Sequence, residues 1–263
     1  MGLDNATVRT LVAAKAIGCN FREMATIGRQ SFFPDPSTLR TAFNELGFDG
    51  DPERFVKVGN GNAGPFYTLL GAYNITSIDI SNYEGVTVLH DMNLPIPDSL
   101  KDRFSVVHDG GSLEHIFNVP QAFKNCMEMV ADRGHFIQTT AANNLLGHGF
   151  YQFSPELMFR IFSPENGYRI ICVLLHEVRE GGKCYKITDP MMLGHRDEIV
   201  KELLHSQFYI TTIAQRIGHK EIFQSYPQQS DYVTLWSGLP YQPDLGKGCE
   251  EISDAQFFKG QIT

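Results

Sequence analysis

No two of the five cysteines stand at C-x-x-C spacing, and an odd count cannot close into a full set of disulfides. Cys19, Cys126, Cys172, Cys184 and Cys249 therefore read as free thiols, three of them in apolar stretches, which suits a reducing compartment. No block of lysine and arginine is present, and the 22 basic residues are outnumbered by 30 acidic ones for a net charge of −8. Phosphate neutralisation needs clustered cations, so nucleic acid is not an expected partner. No apolar run reaches transmembrane length, and the N-terminus has no basic stretch leading into one. The opening Met-Gly-Leu-Asp-Asn-Ala also misses the hydroxyl that a myristoylation signal places at residue 6. These absences predict a soluble cytoplasmic protein with no membrane partner.

What is present is an ordinary globular composition, 42% hydrophobic over 263 residues. A chain of this length buries roughly three quarters of its unfolded surface and can remain one α/β domain. We read residues 1–240 as a single domain with 31–64 inserted after the first strand, and 241–263 as a poorly packed tail. Residues 6–17 carry a helical period stopped by Gly18, 23–28 form a short strand, and Ser37 opens a helix that Gly47 ends. Residues 48–64, rich in Gly, Asn and Asp, read as loop. From Pro65 the chain alternates helix and short apolar strand: strands at 75–80, 86–90, 104–108 and 135–139, helices at 65–73 and 120–131. That alternation predicts a mainly parallel sheet with helices on both faces. Ser154-Pro155-Glu156 has the order of a capped helix start. Tyr168–Val178 and Phe208–Ile217 read as an antiparallel pair at the sheet edge, with a helix over 191–206 between them.

In a parallel sheet the strands deliver their carboxyl ends to one edge, where ligands bind. Polar residues collect at each predicted strand end: Asp79, then His90-Asp91-Met92-Asn93, then His108-Asp109-Gly110-Gly111 with Glu114-His115, then Thr139 to Asn144. A carboxylate closing the second strand suits a pair of ribose hydroxyls, which points to Asp79 with Ile80 beside it. Asp91 and Met92 suit an adenine amino group and ring, and Gly110 and Gly111 let backbone approach a ligand.

The run Ser77-Ile78-Asp79-Ile80-Ser81-Asn82-Tyr83-Glu84-Gly85, the run His90 to Asn93, the run Asp109 to Pro120 with Ser112-Leu113-Glu114-His115, and Gly147-His148-Gly149-Phe150-Tyr151-Gln152-Phe153-Ser154-Pro155-Glu156 after Asn143-Asn144 resemble a bacterial branch of the class I S-adenosylmethionine-dependent methyltransferases. The resemblance covers roughly residues 22–165. It implies a Rossmann-like fold with a seven-stranded sheet, S-adenosyl-L-methionine as methyl donor and a small-molecule or sugar-type acceptor. It implies Asp79 as the ribose acid, Asp91 as the adenine-side acid, and Asp109 to Ser112 beside the methionine part and the acceptor. The first strand departs from the usual Gly-rich ending: it closes Gly28-Arg29-Gln30, with Gly59-Asn60-Gly61-Asn62-Ala63-Gly64 as a second candidate loop. We expect Gly28, Arg29 and Gln30 at the donor.

Methyl transfer from a sulfonium needs alignment of the nucleophile more than activation, and a base only for a hydroxyl or charged amine. His115, His148 and Tyr151 are the candidate catalytic groups, and Glu114 suits the donor's ammonium or the orientation of His115. Two alternatives stand beside this reading. One is a non-catalytic methyltransferase fold serving as a scaffold. The other is a metal-dependent hydrolase drawing on His90, Asp91, His108, Asp109, His115 and His148, although no H-x-x-x-H or H-E-x-x-H pattern occurs and no metal is assigned. A nicotinamide enzyme is disfavoured, since no G-x-G-x-x-G joins a strand to a helix ahead of an acidic strand end.

Overall fold

The computed structural model describes residues 2–179, 181–193, 205–238 and 248–262. The chain begins with β1 (Gly2–Leu3), α1 (Asn5–Ala16), β2 (Glu23–Ile27), β3 (Ser31–Phe32), α2 (Pro36–Glu45), α3 (Pro52–Gly59) and α4 (Gly64–Leu69). It continues through β4 (Asn74–Asp79), β5 (Val88–Leu89), β6 (Phe104–Asp109), α5 (Val119–Met129), β7 (Val130–Asn143), α6 (Pro155–Ile161) and β8 (Tyr168–Glu177). It closes with β9 (Cys184–Ile187), α7 (Pro190–Leu193), β10 (Phe208–Arg216), α8 (Ser230–Trp236), β11 (Cys249–Ile252) and α9 (Asp254–Phe258). Of the helix predicted over 191–206, α7 covers the start and 194–204 lie outside the described residues.

The main sheet holds nine strands in the order β11-β9-β8-β10-β7-β6-β2-β4-β5. Strands β5, β4, β2, β6 and β7 run parallel, while β10, β8, β9 and β11 join by antiparallel pairings. The fold is Rossmann-like, but the expected seven-stranded sheet is corrected to a mixed sheet of nine. Two short strands towards one edge, β9 and β11, account for the difference. The predicted antiparallel pair is present as β8 and β10, yet it lies inside the sheet, because β9 and β11 extend beyond it. The tail is likewise not loose over its described part. β11 pairs with β9, and Ile252, Phe257, Phe258 and Ile262 are buried in the core formed with α1; residues 239–247 lie outside the described residues.

Strand alternation builds one core on each face. Ala25, Val107, Phe136, Leu175 and Ala214 pack against α5 and α6, whereas their chain neighbours Met24, Val106, Ile137, Leu174 and Ile213 pack against α1, α2 and α4. This is the period of two expected where both faces of a sheet are covered. The stretch predicted as loop contains α3: Asp51 accepts from the N–H groups of Glu53 and Arg54, and Pro52 fills the first turn. Asp-Pro is a helix start, and it was obscured by the Gly and Asn around it.

Chain order reverses between β2 and β6. From β2 the sheet grows one way through β4 and β5 and the other way through β6 and β7. Adjacent crossovers therefore leave on opposite faces, and a crevice opens over the carboxyl ends at that point.

Candidate functional site

Two cavities meet over this crevice. The first, about 250 Å³, is lined by Gly28, Ile78, Asp79, Ile80, His90 to Asn93, Ser112, His115 and Ile116. Gly28 stands at φ +70 just past β2 and donates its N–H to Ile78 at 2.7 Å, a left-handed turn that favours glycine. Asp79 ends β4, where Oδ1 accepts from the Ser81 N–H at 2.9 Å. Asp91 Oδ1 accepts from the backbone and side-chain N–H groups of Asn93, at 2.9 and 2.7 Å. Those bonds hold the Asp91 carboxyl below the usual carboxylate range, so it is ionised at neutral pH. Met92 is buried beneath them.

The segment carrying Asp91 and Met92 is fixed from below by Asn125 of α5. Its Nδ2 donates to the Met92 and Leu94 carbonyls at 3.1 and 2.8 Å, and its Oδ1 accepts from the Ile96 N–H at 3.1 Å. Three backbone groups of an otherwise irregular loop are thereby satisfied by one buried side chain.

The second cavity, about 160 Å³, is lined by Gly110, Gly111, Glu114, His115, Thr139, Thr140, His148 and Tyr209, together with Gly2, Asp4, Thr7 and Phe33 from the N-terminal part of the chain. His115 lines both cavities. The His115 and His148 ring centroids lie 5.1 Å apart, and His148 Nε2 is 3.3 Å from Glu114 Oε1.

The structure thus brings Gly28, Asp79, Ile80, Asp91 and Met92 to one cavity and Gly110, Gly111, Glu114 and His148 to the next, with His115 between. Four predicted residues line neither. Arg29 donates from Nη1 to the Glu84 carbonyl. Gln30 is buried, donates to the Ile27 carbonyl at 2.6 Å and sets its Oε1 against Gly110, so Gly110 leaves room for a side chain of the protein itself. Tyr151 donates its hydroxyl to the Phe117 carbonyl at 2.7 Å. Asp109, expected to border a ligand, is fully buried and braces the turn that follows it. It accepts from the Ser112 N–H and from Gln138 Nε2, both at 2.8 Å. Burial, reinforced by the negative charge of Glu114, pushes its carboxyl well above the usual range.

The 59–64 turn is also off both cavities: Ala63 donates to the Gln30 carbonyl and Phe32 to that of Gly61. The six-residue ligand set of the hydrolase alternative does not assemble, because His108 is buried with Nδ1 2.9 Å from the Tyr67 hydroxyl and Asp109 is sealed beneath its turn. Asp4, Phe33 and Tyr209 escaped sequence reasoning, since only long-range packing brings them to this edge. Thr139 and Thr140 were visible as polar strand-end residues without an assigned part.

No protein-family model and no curated protein matches the chain. Solved structures of similar course include an S-adenosylmethionine-dependent methyltransferase from Mesorhizobium loti, at 14% identity and TM-score 0.39 over 75% of this chain and 92% of that one. They also include the YcgJ protein of Bacillus subtilis, at 11% identity and TM-score 0.42 over 81% and 100%. A third is TehB of Haemophilus influenzae, at 15% identity and TM-score 0.41 over 79% and 61%.

Proposed function

We propose that the chain is an S-adenosylmethionine-dependent methyltransferase acting on a small-molecule acceptor by O- or N-methylation. The observation that carries this reading is the convergence of two carboxylates, Asp79 and Asp91, from the ends of adjacent parallel strands onto one cavity with an apolar wall of Ile78 and Met92. Acceptors for hydroxyls on one side, an acceptor for an amino group on the other and an apolar slot between them match a nucleoside. In this reading Asp79 holds the ribose, Asp91 faces the adenine edge, and the sulfonium end reaches towards His115 and the second cavity. The acceptor lies there, between Glu114, His115, His148 and the Thr139–Thr140 pair, and the protein's work is to set its nucleophile about 3 Å from the methyl carbon.

Calorimetric titration with S-adenosylhomocysteine tests the reading. Wild-type protein is expected to bind it and to ignore NAD. Asp79→Ala should weaken binding roughly 10- to 100-fold, the worth of about 1.5–3 kcal/mol for hydrogen bonds to a charged group. Equal affinity in the variant removes Asp79 from the donor site. A specific observation favours the second reading, a non-catalytic fold: Gln30 packs onto Gly110, and the Gly2 N–H donates to the Gly110 carbonyl at 3.3 Å, so the protein occupies backbone that a donor's amino-acid end would approach. Absence of binding by both S-adenosylmethionine and S-adenosylhomocysteine would select that reading.

A further inference from the structure

We propose that Glu114, His115 and His148 bind a divalent transition-metal ion of the zinc class, with an open coordination position facing the second cavity. One donor atom from each residue lies within 4.8 Å of the others. Two imidazoles and one carboxylate form a donor set of the kind catalytic zinc sites use, three protein ligands leaving a place for water or substrate.

The state of Glu114 is the second, independent observation. Its side chain is 1% exposed, yet Oε2 has no hydrogen-bond partner, and its one ion-pair contact among the described residues is His148 Nε2. A carboxylate withdrawn from water with one oxygen unsatisfied is costly unless a cation completes it. The same cavity holds a second orphan, the buried Thr140 hydroxyl, which has no partner either.

The backbone is arranged to deliver the third ligand. Gly149 stands at φ +76, and a Cβ there would meet the Glu114 carbonyl oxygen at 2.8 Å. The N–H groups of Phe150 and Tyr151 both donate to that carbonyl, at 2.7 and 3.2 Å. Glycine thus allows the 147–149 turn to lie directly on Glu114, and His148 is carried onto a residue 34 positions earlier in the chain. His115 comes from the turn after β6 and His148 from the loop after β7, and these are neighbouring parallel strands.

The role of the metal rests on the methyltransferase reading; its binding does not. Because His115 lines both cavities, the ion would stand where donor and acceptor meet. A hydroxyl on the open position would be acidified and would lose its proton to bulk water. Its oxygen would then bond to the methyl carbon as the carbon–sulfur bond breaks, the sulfur keeping the electron pair as a neutral thioether. On this reading the two histidines act as ligands, and the acceptor class narrows to hydroxyl compounds.

Cobalt(II) titration of the metal-stripped full-length protein, followed by visible absorption and by competition with zinc, tests the site. One equivalent of cobalt per chain with ligand-field bands, displaced by zinc, is the expected result. Glu114→Gln and His148→Ala should each lower affinity at least tenfold. His148 is nearly half exposed, so that variant keeps the fold, which circular dichroism checks. Absence of stoichiometric bands, or bands unchanged in both variants, overturns the proposal. Titration of the same preparation with S-adenosylhomocysteine separates the two readings. Metal binding without nucleoside binding upholds the site and overturns the methyltransferase role, while nucleoside binding without metal does the reverse.

Discussion

The two halves of the main sheet treat their polar residues differently. In the parallel half, from β5 to β7, strand ends open into cavities, and groups such as Glu114 Oε2 and Thr140 Oγ1 are left without partners. In the antiparallel half, from β10 to β11, the charged groups at the far edge satisfy one another, while His176 Nε2 and Thr212 Oγ1 are left without partners in the interior. Glu177 at the end of β8 accepts from Ser206 and Lys183 and pairs with Arg179 at 2.7 Å, and Lys183 reaches Glu251 on β11 at 2.8 Å. The Arg179 guanidinium, with Ser206, holds the Glu177 carboxyl down to about 2. One half opens its strand ends into the two cavities, and the other spends its charged side chains on holding the edge closed. The halves meet at β7 and β10, where nearly all of β10, from Phe208 to Gln215, pairs with His135–Asn143 of β7.

The largest test of that division strikes the seam. Phe136 on β7 is fully buried, stacked 5.0 Å from Phe162 and packed against Phe123. Phe136→Ala should cost about 3–5 kcal/mol in urea unfolding. A single transition is expected in the variant as in the wild type; two separated transitions would mean that the halves are independent units.

Acid stability comes next and involves both halves. Burial holds His108 on β6 and His176 on β8 down at about 3, and His135 on β7 at about 4. Each is depressed below its unfolded value near 6.5, so the unfolded chain binds these protons more readily. Full stability is present above pH 6.5 and is lost as pH falls towards 3, by at most about 1.4 kcal/mol per pH unit for each histidine. His176 packs edge-on against Phe257 and its Nε2 lacks a partner. His176→Phe should flatten the acid limb measured by pH-dependent unfolding, and an unchanged slope would clear the antiparallel half of any part in it.

Smaller effects come from the periphery. Asp51→Ala removes the cap of α3 and should cost about 1 kcal/mol of stability without altering ligand affinity. The exposed Lys183–Glu251 pair, examined by a double-mutant cycle, should yield less than about 1 kcal/mol. A larger coupling would make the β9–β11 edge an energetic anchor as well as a seal.

The same division governs what could be read from the chain. The parallel half was legible because short apolar strands alternate with helices, and because Asp79, Asp91 and His115 close or follow strands whose direction the crossovers dictate. The antiparallel half was half-hidden. β8 and β10 are long enough to recognise, but β9 and β11 are four residues each, and their pairing bridges more than sixty positions. Within the site, the lining residues belonging to strand ends were found. Asp4 and Tyr209 were not, since nothing local distinguishes a helix cap or a strand tyrosine that happens to reach a distant edge. Asp109 misled for the opposite reason: its place at the end of β6 is that of a ligand-binding acid, while its side chain turns inward to Gln138 and the Ser112 amide.

Asn125 carries a lesson for anyone wishing to retarget the molecule. A single amide on the helix beneath the crevice shapes the whole 92–96 segment, so the contour of the first cavity is inherited from the interior and is a poor place for random mutagenesis. Phe33 and Tyr209, which line the second cavity from outside that scaffold, are where a library should begin, because the shape of that cavity can be altered there without disturbing the frame.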